Sequence, residues 1–314
     1  MTESKPTEFY HDPVLLKECL EYLNLREEGV FVDCTLGGGG HSSAIVLRLS
    51  ENGTLHCFDR DPEAIGFATK RLEGSKPNIV FHPVAFAALG EEVEASSCDG
   101  ILYDLGISSR QVDSNERGFT FVGDVPLDLR MDTRQDMSAQ EWLREVSEED
   151  LASALRYNAD LERAMKLAVR LKACVSDGRK ILPSDVKDIV LSVFPDKKRD
   201  ANGILARVFQ AIRMEVNGEL EQIKVSMRSA VECLKVGGRL VIMSYHSVED
   251  RCVKDVCAEF ERACICPPEL PICRCGGKCQ KLKKVLRKPM VPSDEEIKRN
   301  SRARSAKLRV YERV

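Results

Sequence analysis

The sequence predicts an α/β fold: a mostly parallel sheet with helices on both faces, an antiparallel C-terminal edge strand, and an inserted all-helical domain. Three observations predict it. Short apolar stretches alternate with helix-patterned segments between residues 29 and 105. The alternation stops near 133, and the chain stays helical in pattern and highly charged to about 198. It resumes near 205 and ends in a segment, 306–312, whose apolar and charged residues alternate as in a half-buried strand. The α/β domain is thus expected over 1–132 and 205–314, and the helical insertion over 133–204.

Composition is consistent with this. A chain of 314 residues, 43% hydrophobic and 31% charged, has the size of two globular domains and is not a disordered polymer. No apolar run approaches the roughly 20 residues of a membrane span. Residues 1–8 are polar and lack the apolar centre of a secretion signal, so a cytoplasmic location is expected. The net charge of −3 hides an asymmetry: residues 274–314 hold fourteen Lys or Arg against four acids. A basic end on an acidic body suits a polyanion such as nucleic acid; a merely solvated tail is the alternative.

The elements follow in order. Residues 13–23 have helical periodicity with Pro13 at the start. An apolar stretch, 29–32, leads into Asp33-Cys34-Thr35-Leu36-Gly37-Gly38-Gly39-Gly40-His41; a helical segment, 42–49, and a second strand ending at Asp59 come next. A helix over 62–72, a strand over 78–82 and a fourth strand over 99–105 complete the first run. In the insertion, Ser138 with Glu141 and Ser147 with Asp150 have the spacing of helix N-terminal capping pairs. A long helix is expected over 205–234, then a turn at Gly237-Gly238, a strand over 239–244 and a helix from about Val248.

Strand, glycine turn, helix and second strand make a nucleotide-cofactor pocket. Glycines let the backbone approach a ligand, the next helix directs free N–H groups at it, and an acid at the tip of the second strand suits ribose hydroxyls. Asp59 is that acid. A dinucleotide, ATP and S-adenosylmethionine all use such a pocket. The Walker pattern is absent, because no Lys-Ser or Lys-Thr follows the glycines. The dinucleotide fingerprint is excluded only weakly, since Ala44 can replace its third glycine. Asp33, at the end of the first strand, is placed for the amino group of S-adenosylmethionine. The fourth strand ends in Asp104-Leu105-Gly106-Ile107-Ser108-Ser109, so Asp104 is expected in the ligand crevice outside the carboxyl ends of the strands.

Taken in order, several motifs resemble one known family. They are Gly38-Gly39-Gly40-His41, Asp59-Arg60-Asp61-Pro62, Asp104-Leu105-Gly106-Ile107-Ser108-Ser109, Glu116-Arg117-Gly118-Phe119, Pro126-Leu127-Asp128-Leu129-Arg130-Met131-Asp132, Phe209-Gln210-Ala211-Ile212-Arg213, Ser244-Tyr245-His246-Ser247-Val248-Glu249-Asp250-Arg251 and Ser301-Arg302-Ala303-Arg304. The family is RsmH, also called MraW. Its members methylate the N4 amino group of one cytidine in the decoding region of 16S ribosomal RNA, using S-adenosylmethionine. The resemblance implies a class I (Rossmann-like) methyltransferase domain interrupted by a helical substrate-recognition domain. It places cofactor contacts at Gly39, Gly40, His41, Asp59, Phe86, Asp104 and Gln111, with Asp59 on the ribose and Phe86 beside the adenine. It implies 16S ribosomal RNA or the small subunit as partner; no membrane association is expected, and a monomer or homodimer is. A DNA cytosine-N4 methyltransferase and a non-catalytic RNA-binding assembly factor are the other functions weighed.

A cytosine amino group is a poor nucleophile, so the site must align it with the methyl group and offer acceptors for its hydrogens. Asp104, with Ser108 assisting, is the expected catalytic pair. Tyr245, Phe119 and Phe121 are candidates to stack on a flipped base, with core aromatics as the alternative. Arg117, Arg130 and Arg213 could bind phosphate or pair with neighbouring acids such as Asp128; His246 could bond the base or be structural. No metal is expected in the active site. Cys264, Cys266, Cys273, Cys275 and Cys279 could hold a structural zinc, although no histidine is near and the Cys-x-Cys spacing lies outside the usual finger patterns.

Overall fold

The computed structural model describes residues 13–108, 111, 117–121, 125–176, 178–267 and 274–314. They fall into two compact units, Met1–Ser109 with Ile223–Val314, and Arg110–Gln222.

The first unit holds a seven-stranded sheet: β1 (Val30–Asp33), β2 (Thr54–Phe58), β3 (Asn78–His82), β4 (Cys98–Asp104), β5 (Leu234–Ser244), β6 (Leu282–Lys284) and β7 (Lys307–Arg313). Their spatial order is β3-β2-β1-β4-β5-β7-β6. The first five strands run parallel; β7 is antiparallel to both β5 and β6. The C-terminal strand is therefore antiparallel, as its alternating sequence implies, and the three-residue β6 lies outside it at the edge. The helices that precede β5 in this unit include α1 (Leu16–Leu23), α2 (Gly40–Val46), α3 (Pro62–Arg71) and α4 (Leu89–Glu92).

One sheet face buries Phe31, Leu55, Cys57, Leu102, Val241, Met243, Leu308 and Val310 against Cys19 and Leu23 of α1, Ile45 of α2 and Ala68 of α3. Side chains alternate across a strand, so Tyr103 points to the other face. There its hydroxyl shares a 2.6 Å hydrogen bond with Ser226. Gly100 makes this packing possible: a Cβ there would sit 3.0 Å from the Phe31 ring.

The local signals explain the boundaries. Pro62 opens α3, and Asp61 caps it by accepting from the Glu63 amide at 3.0 Å. The helix predicted from residue 13 begins only at Leu16, because Leu15 is left-handed with φ 49°. The helix predicted over 42–49 begins earlier, at Gly40, with Gly39 as its cap at φ 70°; a glycine takes that conformation without steric cost.

The second unit is helical: α5 (Ala139–Glu145), α6 (Glu148–Tyr157), α7 (Ala164–Val175), α8 (Pro183–Val193) and α9 (Ala201–Val216), followed by the start of α10 (Glu219–Cys233). Leu143, Leu151, Leu155, Leu167, Leu171, Val186, Val190, Ile204, Val208 and Ile212 are buried in it. Both predicted caps form: Ser138 accepts from the Glu141 amide, and Ser147 from the Asp150 amide at 3.0 Å. The unit is wider than the 133–204 predicted. On its N-terminal side the Leu127 amide donates to the Ile181 carbonyl at 3.2 Å, and the Met131 amide to Asn217 Oδ1 at 2.8 Å.

The single helix predicted over 205–234 is two helices. Asn217 ends α9, and its side-chain Nδ2 donates to the carbonyls of Leu129 at 2.7 Å and Arg213 at 2.8 Å. Gly218 follows with φ +59°, a conformation that ends a helix. Two further helices, α11 (Ser247–Glu261) and α12 (Asp294–Arg299), belong to the first unit.

Candidate active site

In an open α/β sheet, ligands bind beyond the carboxyl ends of the strands where the strand order reverses. Here that point lies between β1 and β4. Three carboxylates stand at neighbouring strand ends: Asp33 on β1, Asp104 on β4, and Asp59 one residue beyond β2.

Asp33 is almost fully buried. One oxygen accepts the Thr35 amide at 3.1 Å, the other the Ser42 hydroxyl at 2.7 Å. Burial pushes its pKa up, against the pull of His41 and of these hydrogen bonds. Thr35 fastens β1 to β4, since its hydroxyl accepts the Asp104 amide at 2.6 Å.

Asp59 is held by two backbone amides, Gly37 at 2.8 Å and Asp61 at 2.9 Å. Burial pushes its pKa up to about 6, although both amide bonds lower it. Gly37, at φ +48°, turns the loop so that its amide meets this carboxylate. At the other end of α3, Arg71 donates to the Gly38 carbonyl at 2.9 Å and ties the same loop down. Ser108 lies beside it, 3.8 Å from where a Cβ on Gly37 would stand.

Asp104 accepts the Tyr245 hydroxyl at 2.6 Å on Oδ1, while Oδ2 faces His41 Nδ1 at 3.6 Å. His41 is buried, and its Nε2 lies 3.2 Å from the Val14 carbonyl. Burial raises the pKa of Asp104, opposed by His41 and by the Tyr245 hydrogen bond. Tyr245 is in turn pushed up, by burial first and then by the Asp104 charge.

Glu249 organises this corner. It is fully buried, accepts the Tyr245 amide at 2.9 Å, and lies 2.9 Å from His246 Nε2. His246 caps α11, its Nδ1 accepting the Glu249 amide at 3.3 Å. Sequence reasoning assigned no role to Thr35 or Glu249. For Glu249 a signal exists, because an acid three residues after a cap has capping-box spacing; for Thr35 there is none. Phe86 occupies a short 3-10 turn after β3, half-buried and edge-on to Tyr103 with centroids 5.8 Å apart.

Gln111 and the candidate substrate residues Arg117, Phe119, Phe121, Arg130 and Arg213 lie in the second unit. Gln111 is buried. Arg117 spends its guanidinium on main-chain carbonyls, Arg130 at 3.0 Å and Met131 at 2.8 Å. Arg130 forms a two-pronged pair with Asp128, each prong 2.7 Å. Arg213 and Glu219 form a buried two-pronged pair at 2.7 and 2.8 Å. Arg130 and Arg213 thus pair with acids of their own unit, one of the two readings of these residues, while Arg117 meets main-chain carbonyls. Phe119 is buried, whereas Phe121 is exposed and edge-on to Phe209 with centroids 5.0 Å apart.

A doubly wound sheet with one antiparallel strand near its edge, carrying a glycine loop and carboxylates on adjacent strand ends, defines the class: a Rossmann-like methyltransferase. The chain belongs to the MraW methylase family, which it matches over residues 8–314. Similar proteins are named "Ribosomal RNA small subunit methyltransferase H". The one from Finegoldia magna is 39% identical over 98% of this chain and 99% of its own length. The one from Clostridioides difficile is 41% identical over 98% of this chain and 100% of its own. That from Fusobacterium nucleatum subsp. nucleatum is 41% identical over 97% of each.

Proposed function

We propose that this chain transfers a methyl group from S-adenosylmethionine to the N4 amino group of a cytidine in the decoding region of 16S ribosomal RNA. The observation that carries the reading is the end-to-end match with relatives named as small-subunit ribosomal RNA methyltransferases. No described helix is long and apolar enough to cross a membrane.

The residues at the switch point fit the cofactor. A carboxylate has about four acceptor positions, and the two amides on Asp59 take two, so the pair of ribose hydroxyls has a place. Gly39 and Gly40 would cradle the methionine end beside Asp33 and His41, with Phe86 flanking the adenine. When bound, S-adenosylmethionine supplies the electrophilic methyl group and leaves as S-adenosylhomocysteine.

The protein's own part is to position and to accept protons. The amino nitrogen of cytosine gains positive charge as the nitrogen–carbon bond forms, and then releases a proton. Asp104 is the acceptor. Tyr245 fixes one of its oxygens, and the other, which faces His41 Nδ1 at 3.6 Å, would accept from the base. Burial makes this carboxylate a better proton acceptor than one in water. Ser108, beside the glycine loop, is placed to assist.

The test is methyl transfer from labelled cofactor to 16S RNA, to assembled small subunits and to DNA, with the modified nucleoside identified. N4-methylcytidine in RNA is expected; label in DNA or on another base overturns the reading. Asp104→Asn should lower single-turnover transfer by about 100- to 10,000-fold while S-adenosylhomocysteine still binds. Normal transfer in that variant would remove Asp104 from the chemistry and leave the activity itself standing.

A further inference from the structure

Between α11 and β6 the chain makes a long excursion, closed at its base by backbone. The Cys279 amide donates to the Ala263 carbonyl at 2.9 Å, and the Lys281 amide to the Phe260 carbonyl at 2.8 Å. Among the described residues of 262–280 none is buried. These residues form no hydrophobic core of their own, and the least exposed of them are three cysteines, Cys266, Cys275 and Cys279. A segment that cannot bury apolar surface needs a cross-link to hold a shape.

The sulfurs provide one. Cys264, Cys266 and Cys275 bring their Sγ atoms within 4.8 Å of one another, and the Cys264–Cys275 pair is 3.5 Å apart. Four thiolates around a tetrahedral zinc, each at about 2.3 Å, stand about 3.8 Å from one another. The described sulfurs are all free thiols rather than disulfides. Cys266 Sγ also accepts two backbone amides, Arg274 and Cys275, each at 3.3 Å. Cys279 follows Cys275 by four residues, its amide donates to the Ala263 carbonyl, and its Sγ lies 3.8 Å from the Cys275 carbonyl, outside the group of three but close enough for a side-chain rotation to bring it in as the fourth ligand.

We propose that Cys264, Cys266, Cys275 and Cys279 bind a structural zinc ion that shapes the segment between α11 and β6. Four thiolates with no water position make a closed site, and soft sulfur ligands select a thiophilic metal. Zinc with four thiolates carries a net charge of −2, which Arg262, Arg274 and Lys278 in the same excursion offset. Cys273 lies outside the described residues.

The full chain is purified under reducing conditions without a metal-affinity step, and its metals are measured. About one zinc per chain is expected. Replacing zinc by Co2+ should give the visible bands of a tetrahedral thiolate site. Cys264→Ser with Cys275→Ser should weaken zinc binding by more than about 100-fold and leave S-adenosylhomocysteine binding unchanged. Three results overturn the proposal: sub-stoichiometric zinc with no tetrahedral cobalt spectrum, iron in place of zinc, or full zinc content in the double variant. Cofactor binding and methyl transfer are read separately, so failure here leaves the proposed activity untouched.

Discussion

Asp59 shows how burial and ligand binding pull one carboxylate in opposite directions. Its pKa is raised to about 6, chiefly by burial. Between about pH 4 and 6 the folded chain therefore keeps a proton there that the unfolded chain has released. The group's contribution to stability is full below that window and is lost as pH rises through about 6. Ribose hydroxyls donate to the carboxylate and select its charged form, so binding has the opposite slope. Affinity for S-adenosylhomocysteine should fall as pH is lowered through about 6, approaching about tenfold per pH unit. Calorimetric titration across roughly pH 5 to 7 checks this, with Asp59→Asn expected to lose the pH step; a variant with the wild-type profile would assign the step to another group.

The break between α9 and α10 is the element on which the second unit turns. Asn217 is buried, with Oδ1 accepting the Met131 amide and Nδ2 donating to two carbonyls. Asn217→Ala leaves the buried Met131 amide and Leu129 carbonyl short of a partner, while the Arg213 carbonyl keeps the residue-217 amide at 3.0 Å, and should cost about 2–4 kcal/mol. Urea denaturation checks it; a loss below about 0.5 kcal/mol would mean that water replaces the side chain. The Asn-Gly pair marking this break was legible, but the helical periodicity on either side of it concealed the change of direction. The strands were far easier to read. β3 lies at the residues predicted, because a short apolar run between turn signals permits little else. Asp33, Asp59 and Asp104 were legible for a topological reason, since parallel strands deliver their carboxyl ends to one edge. The Arg130–Asp128 pair was among the readings the sequence offered, but the partners of Arg117 and Arg213 were not, because a basic side chain's partner is decided only when the chain folds. Asp128 lies two residues from Arg130, Glu219 six from Arg213, and the partners of Arg117 include main-chain carbonyls.

At the scale of the whole molecule, the basic C-terminal region is folded structure rather than a loose tail. Lys283 pairs with Glu312 at 2.6 Å and Lys284 with Glu261 at 2.8 Å. Arg309 and Lys307 both face Asp250, at 2.6 and 3.7 Å. These four of the fourteen cations counted in the sequence are thus paired inside the sheet unit. Arg287 and Lys288 belong to none of the described ion pairs. Removing one cation that neutralises a phosphate should reduce the slope of log affinity against log salt by about 0.7–0.9. Changing both residues to alanine should lower the slope for RNA by about 1.5, whereas Lys283→Ala should hardly alter it. Filter binding across a salt series checks both; an unchanged slope in the double variant would place RNA elsewhere.

The strand order has a further consequence, in time rather than in space. β6 is synthesised before β7, yet β7 is its one strand partner among the described residues, and β7 also covers the outer edge of β5. Until residues 307–313 arrive, β5 ends the sheet with an unpaired backbone edge and β6 lacks its strand partner. An unpaired edge is a template for another chain. The interval between β5 and β7, rather than the stability of the finished sheet, sets when this protein is most exposed to aggregation.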